Sequence, residues 1–114
     1  MRLKPETLKE VKRAYRRTRR PVWKAIYEML EAPIRRERRV NVSKLDKIVP
    51  EGATVIVPGK VLGSGIVTKK MTVVALDFSK SAVEKIKKAG GKAVPLSSFV
   101  KKNAKKKGLI IVGG

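Results

Sequence analysis

The chain has 114 residues, 42% of them hydrophobic, and sets 29 lysines and arginines against 9 aspartates and glutamates, a formal net charge of +20 with no histidine and no cysteine. Those two absences remove the usual general base, the commonest zinc ligand, every Ser-His or Cys-His nucleophile, disulfides and thiolate metal sites. No apolar run approaches the ~20 residues that cross a bilayer. Charge of this size destabilises a compact state unless a polyanion neutralises it, which favours nucleic acid over a membrane surface as partner.

In chain order, Pro5, Glu6 and Glu10 open a helix over residues 5–19, with Leu8, Val11 and Tyr15 at helical spacing and basic residues in the other directions. It stops near Pro21, because the residue before a proline avoids helical geometry. A second helix over 22–31 sets Val22, Ile26, Met29 and Leu30 on one face beside Trp23. The stretch IRRERR (34–39) follows as an exposed strap. All ten arginines fall between Arg2 and Arg39, and every basic residue after them is lysine. One domain is expected, with residues 1–39 an Arg-rich helical arm and strap and residues 40–114 a compact α/β body.

From Val40 the texture changes to short branched-apolar runs alternating with serine-initiated helical segments. VNV (40–42) reads as a strand, and Ser43 as the cap of a short helix carrying Leu45 and Ile48. TVIVP (54–58) and MTVVALDF (71–78) read as buried strands, joined by a wide hairpin-like connection. Ser79 caps a helix with Ala82, Val83 and Ile86 inward, and Gly90 and Gly91 end it. KAVPL (92–96), a helix capped by Ser97 with Phe99 and Val100, and LIIV (109–112) complete the chain. VNVSKL and TVIVPG are echoed by VPLSSF and LIIVGG, a strand, a helix and a strand each time. The fold class read from this is α/β, a single domain of irregular stacked turns with a basic helical N-terminal extension.

PGKVLGSGIVTKK (58–70) sets glycines beside lysines, a combination that suits a phosphate. A P-loop fails, since no glycine lies five residues before Gly59 and Val61 stands where a hydroxyl is needed. A dinucleotide fingerprint fails as well: Thr68 replaces the third glycine. Asp77 also follows Gly65 by only twelve residues, too few for a crossover helix and strand. Asp46, Glu51, Asp77 and Glu84 are scattered, each near a basic residue, and read as solvated or capping carboxylates. No active site, metal site or cofactor site emerges, and no small-molecule substrate is expected.

The arm has the chemistry of RNA recognition. Arginine forks phosphate bidentately and stacks on bases, whereas lysine acts as a point charge, and no acidic residue interrupts Arg13 to Arg20. Tyr15, Trp23 and Tyr27 offer flat surfaces to unstacked bases, although their helical spacing favours a core role. From charge and backbone chemistry, the RNA-contact candidates are Arg13, Arg16, Arg17, Arg19, Arg20, Arg35, Arg36, Arg38 and Arg39. To these are added Lys60, Gly63, Ser64, Gly65, Lys69 and Lys70 from the glycine-rich stretch. Its glycines have two open roles, close approach to RNA or tight turns against the core.

The stretch from Val40 to Val94, with Pro58-Gly59-Lys60-Val61-Leu62-Gly63-Ser64-Gly65, Phe78-Ser79, Ala82, Ile86 and Gly90-Gly91 as its marks, resembles the archaeal and eukaryotic large-subunit ribosomal protein family L-eighteen-e, relatives of the bacterial L-fifteen proteins. Val22-Trp23 and Leu30-Glu31-Ala32-Pro33 extend the likeness upstream. The resemblance implies a fold of irregular β-β-α turns and a non-catalytic protein. Its expected role is to bind large-subunit rRNA beside neighbouring ribosomal proteins in the cytoplasm and support assembly and translation, without cofactor or membrane. The short chain, lacking a eukaryotic-style tail, points to an archaeal member. The alternative is a free nucleic-acid-binding protein, of a chromatin or RNA-chaperone kind.

Overall fold

The computed structural model describes residues 5–31 and 38–113. Helix α1 (Pro5–Thr18) starts on proline and Glu6 and ends with Arg16 and Arg17, charges that complement its dipole. Its buried seam is Thr7, Val11 and Ala14, while Leu8 and Tyr15 are half-buried. The Thr18 hydroxyl donates to the Ala14 carbonyl at 2.7 Å, closing the last turn. Arg19 then reverses the chain at φ +56°, and Pro21 opens helix α2 (Pro21–Glu31), which buries Trp23 and Ile26.

Five strands follow: β1 (Arg39–Asn41), β2 (Thr54–Leu62), β3 (Thr72–Phe78), β4 (Lys92–Pro95) and β5 (Leu109–Ile111). Every pairing among them is parallel. Strand β3 lies between β2 and β4, and the other edge of β2 carries β5 beside Thr54–Ile56 and β1 beside Lys60–Leu62. Pro58 and Gly59 fall in the gap between those two short partners, where the β2–β3 register also shifts. A proline without an N–H is tolerated at such an interruption. Gly59 is needed there because a Cβ would stand 2.3 Å from the Arg38 carbonyl oxygen.

The parallel β2–β3 pairing overturns the hairpin-like connection expected from the sequence. Nine residues, Gly63–Met71, carry the chain from the end of β2 back to the start of β3. The retraced length of β2 is roughly 26 Å at ~3.3 Å per residue. Nine residues reach about 30 Å when extended, so the return must run nearly straight, with no slack for a helix.

Helices α3 (Val42–Ile48), α4 (Lys80–Lys88) and α5 (Leu96–Asn103) complete the chain. Ser79 caps α4 as expected, accepting from the Ala82 N–H at 3.2 Å. At the other end Gly91 N–H donates to Ile86 and Gly90 N–H to Lys87, with Gly90 at φ +87°, a Schellman stop. Ser43 and Ser97 do not cap. Strands β1 and β4 run directly into their helices, so the cap positions fall on Asn41 and Pro95, neither making a side-chain cap bond.

Two cores flank the sheet. One joins Val55, Val57, Val61, Val73 and Ala75 to Leu45 of α3 and Ala82 and Ile86 of α4. The other joins Ile56 and Val74 to Val11 and Ala14 of α1, Trp23 and Ile26 of α2, and Leu96, Phe99 and Val100 of α5. Burial on both faces explains the unbroken valine and isoleucine runs of β2 and β3. The α/β class holds, as a single domain. The internal echo is one of chain order: β1-α3-β2 and β4-α5-β5 repeat, but β1 pairs with β2 whereas β5 crosses to β2 instead of pairing with β4.

Candidate nucleic-acid interface

The candidate residues spread over both outer layers. In the α1–α2–α5 layer, Arg13, Arg16, Arg17 and Arg19 are exposed. Arg13 pairs with Glu10 at 3.3 Å, a surface pair one helical turn away. The Arg19 guanidinium stands over the Tyr15 ring, 5.7 Å from its centroid. Arg20 turns inward: its Nη1 donates to the Ala104 carbonyl at 2.8 Å and to that of Lys106 at 2.5 Å. Arg35 and Arg36 lie outside the described residues.

Along the β1 edge, Arg38 is half-buried. Its Nη1 donates to the Gly113 carbonyl at 3.3 Å, and its buried Nε has no hydrogen-bond partner among the described residues. Arg39 is exposed and pairs in register with Lys60, which pairs in turn with Asp77, placing the three side by side across β1, β2 and β3. Lys60 Nζ is 3.9 Å from the Asp77 carboxylate.

The glycine-rich connection lies on the opposite layer, between α3 and α4. Asp46 of α3 accepts the N–H groups of Thr68 and Lys69 at 3.1 and 2.8 Å and the Thr68 hydroxyl at 3.0 Å. The Lys69 and Thr68 N–H groups hold its carboxyl below the usual carboxylate range, against a smaller opposing effect of burial. Lys85 of α4 donates from Nζ to the carbonyls of Gly63 and Gly65, the latter at 2.7 Å. Val67 packs into the core beneath.

This arrangement decides between the two roles left open for the glycines. A Cβ on Gly63 would stand 2.1 Å from Ser81 Oγ and 2.6 Å from the Ala82 nitrogen, and one on Gly65, at φ +88°, 2.3 Å from Ser43 Cβ. Both are fitted against the helices beneath them. Lys69 is also internal, its ammonium donating to the Val49 carbonyl at 2.9 Å. Ser64, Ile66 and Lys70 remain exposed on this layer, Ile66 to 76%. Asp46 and Lys85 are the residues that sequence reasoning missed. Each is linked to the connection by contacts about twenty residues away in the chain, and no local pattern marks them.

The aromatic residues divide. Trp23 is fully buried, its indole N–H donating to the Ala104 carbonyl at 2.7 Å and its ring tilted against Phe99. Tyr15 and Tyr27 are half-buried, with the Lys12 ammonium 5.7 Å from the Tyr27 centroid. A hydrogen bond to Glu31 raises the Tyr27 phenol above the ordinary tyrosine value, keeping it neutral. Among the described residues no group of three or more acidic side chains is gathered as a metal site, and no helix is long and apolar enough to cross a membrane.

A rigid parallel sheet with exposed cations on both outer layers defines a polyanion-binding α/β protein. The family model for the ribosomal proteins 50S-L15 and 50S-L18e and their 60S counterpart matches residues 39–94. Large ribosomal subunit protein eL18 of Archaeoglobus fulgidus is 46% identical over 89 residues, 78% of this chain and 76% of that relative. The protein of the same name from Nanoarchaeum equitans is 47% identical over 97 residues, 83% of this chain and 80% of the relative. That of Halobacterium salinarum is 45% identical over 94 residues, 82% and 80% respectively. The chain belongs to this ribosomal protein family, and these relatives are archaeal.

Proposed function

We propose that the protein is a non-catalytic, structural constituent of the large ribosomal subunit in the cytoplasm, where it binds rRNA, contacts neighbouring ribosomal proteins and supports assembly and translation. The observation that carries this reading is the exposure of cations on both layers of the sheet in a member of this family. Arg13, Arg16, Arg17 and Arg19 meet RNA from one side, and Ser64 and Lys70 from the other. Arg39 and Lys60 serve the edge between them. Arg20, Gly63, Gly65 and Lys69 shape the surface from within, and Arg38 anchors the end of the chain. A domain wedged between RNA segments gains from an inflexible sheet, because phosphates on opposite sides are then held at a fixed separation.

The test is sedimentation with salt titration. The protein is expected to travel with the large subunit and, if six to ten phosphates are contacted, to lose roughly a thousandfold or more in rRNA affinity between 50 and 200 mM salt. A flat salt response, or equal affinity for duplex DNA with sedimentation alongside DNA, would exclude it in favour of a free nucleic-acid-binding protein.

A further inference from the structure

Between α1 and α2, away from the buried seam, lies a groove of about 320 Å³. Its walls carry the cations Lys12, Arg16, Arg19 and Lys24, the rings of Tyr15 and Tyr27, and one carboxylate, Glu28. We propose that this groove holds a single unstacked nucleotide of an RNA strand, its base against the two tyrosine rings and its phosphates among the four cations. The proposal rests on the rRNA-binding reading and adds to it a site that recognises a base.

Three features of the groove select this ligand. Four cations against one carboxylate favour a polyanion over an acidic-basic mixed protein surface. The paired rings favour a base over a bare phosphate, since every base has a face to stack and duplex bases are already stacked on one another. The volume lies at the lower end of the ~300–1,000 Å³ typical of small-ligand pockets, which suits one nucleotide.

The tyrosines are also unlike the core aromatic beside them. Trp23 is fully buried with its N–H satisfied, whereas Tyr15 and Tyr27 keep part of their surface open to the groove. In the free protein, Arg19 and Lys12 stand over those rings. Both are long and exposed, free to turn to a phosphate while a base takes the ring. Arg19 holds φ +56°, a conformation that glycine adopts without penalty. A cation kept at a strained position on the rim of a groove is the kind of outlier that marks a functional site.

The test uses the full chain and two single-stranded RNA probes of equal charge: a uridine strand of about twelve nucleotides, and the same strand with abasic sites. Stacking predicts a preference of roughly fivefold to a hundredfold for the base-bearing strand. Replacing both tyrosines by Tyr15→Leu and Tyr27→Leu should abolish the preference and leave the salt slope unchanged, whereas Tyr15→Phe with Tyr27→Phe should keep it. Equal binding of the two probes, or a preference that survives the leucine pair, overturns the site while leaving steeply salt-dependent RNA binding intact. Binding to neither probe removes both readings. Should the leucine pair unfold, photocrosslinking of the wild-type chain to a 5-iodouridine strand decides: adducts on Tyr15 or Tyr27 are expected. Adducts confined elsewhere, or crosslinks from these tyrosines to a protein neighbour in assembled subunits, overturn it.

Discussion

Arg20 donates from Nη1 to the Ala104 carbonyl at 2.8 Å, tying the turn between α1 and α2 to the C-terminal end of α5 across 84 residues of chain. The same oxygen accepts the Trp23 indole N–H, so one carbonyl gathers the elements that cover one face of the sheet. Charged donors to backbone carbonyls contribute about 1.5–3 kcal/mol each, less where solvent reaches them. Arg20→Ala is therefore expected to cost about 1–2 kcal/mol, with Trp23 still satisfying Ala104. Urea unfolding of the two proteins side by side measures this. Unchanged stability would return Arg20 to the RNA-contact set.

Arg16 and Arg17 offer the contrast. Both are exposed and sit in the last turn of α1, where their loss removes no internal bond that the structure shows. Arg16→Ala and Arg17→Ala should each leave stability within about 0.5 kcal/mol. Each should flatten the slope of log affinity against log salt by about one for large-subunit rRNA. A loss of stability matching that of Arg20→Ala, with no change in slope, would show that these arginines serve the fold.

Asp46 gives the protein an acid-sensitive fastening. Its carboxylate holds the Thr68 and Lys69 N–H groups and the Thr68 hydroxyl, and those bonds lower its folded-state pKa. A group with a depressed folded pKa stabilises fully above its unfolded value, ~3.9 for aspartate. That contribution is lost as pH falls through the lower folded value. Asp46→Ala should cost about 1 kcal/mol at neutral pH, discounted for exposure. The difference from wild type should be flat above about pH 5 and shrink as pH falls below 4. Denaturant midpoints between pH 2.5 and 7 follow it; a difference that grows toward acid would contradict the assignment.

What could be read from the sequence was the chemistry that acts over a few residues. The Ser79 cap and the Gly90-Gly91 stop were legible because a helix end is satisfied by its own neighbours. The valine runs of β2 and β3 were legible because burial on two faces leaves no polar position. Strand direction was not, since nine residues without a helix look the same whether they turn back or retrace a strand. Nor was the division between Arg20 and Arg16, two arginines a few residues apart. They differ in whether the end of α5, more than eighty residues on, comes within reach. The glycines carried the same ambiguity: Gly63 is shaped by Ser81 and Gly65 by Ser43, neither a neighbour in the chain.

Gly63 and Gly52 separate two reasons for keeping a glycine. A Cβ on Gly63 would meet Ser81 Oγ at 2.1 Å, the Ala82 nitrogen at 2.6 Å and the Ser81 carbonyl carbon at 2.7 Å. Gly52 has nothing within 4 Å of such a Cβ and is held only by its φ of +80°. Gly52→Ala should cost about 1–2 kcal/mol from backbone strain alone. Gly63→Ala should cost about 1–3 kcal/mol by overpacking. It alone should disturb the first turn of α4, visible as faster amide exchange at Ala82, whose N–H the Ser79 hydroxyl accepts. Removing the Ser81 hydroxyl should not rescue it, because two of the three close atoms belong to the backbone. Full recovery in Gly63→Ala with Ser81→Gly would show that only a side chain stands in the way, and that the connection does not press on the helix itself.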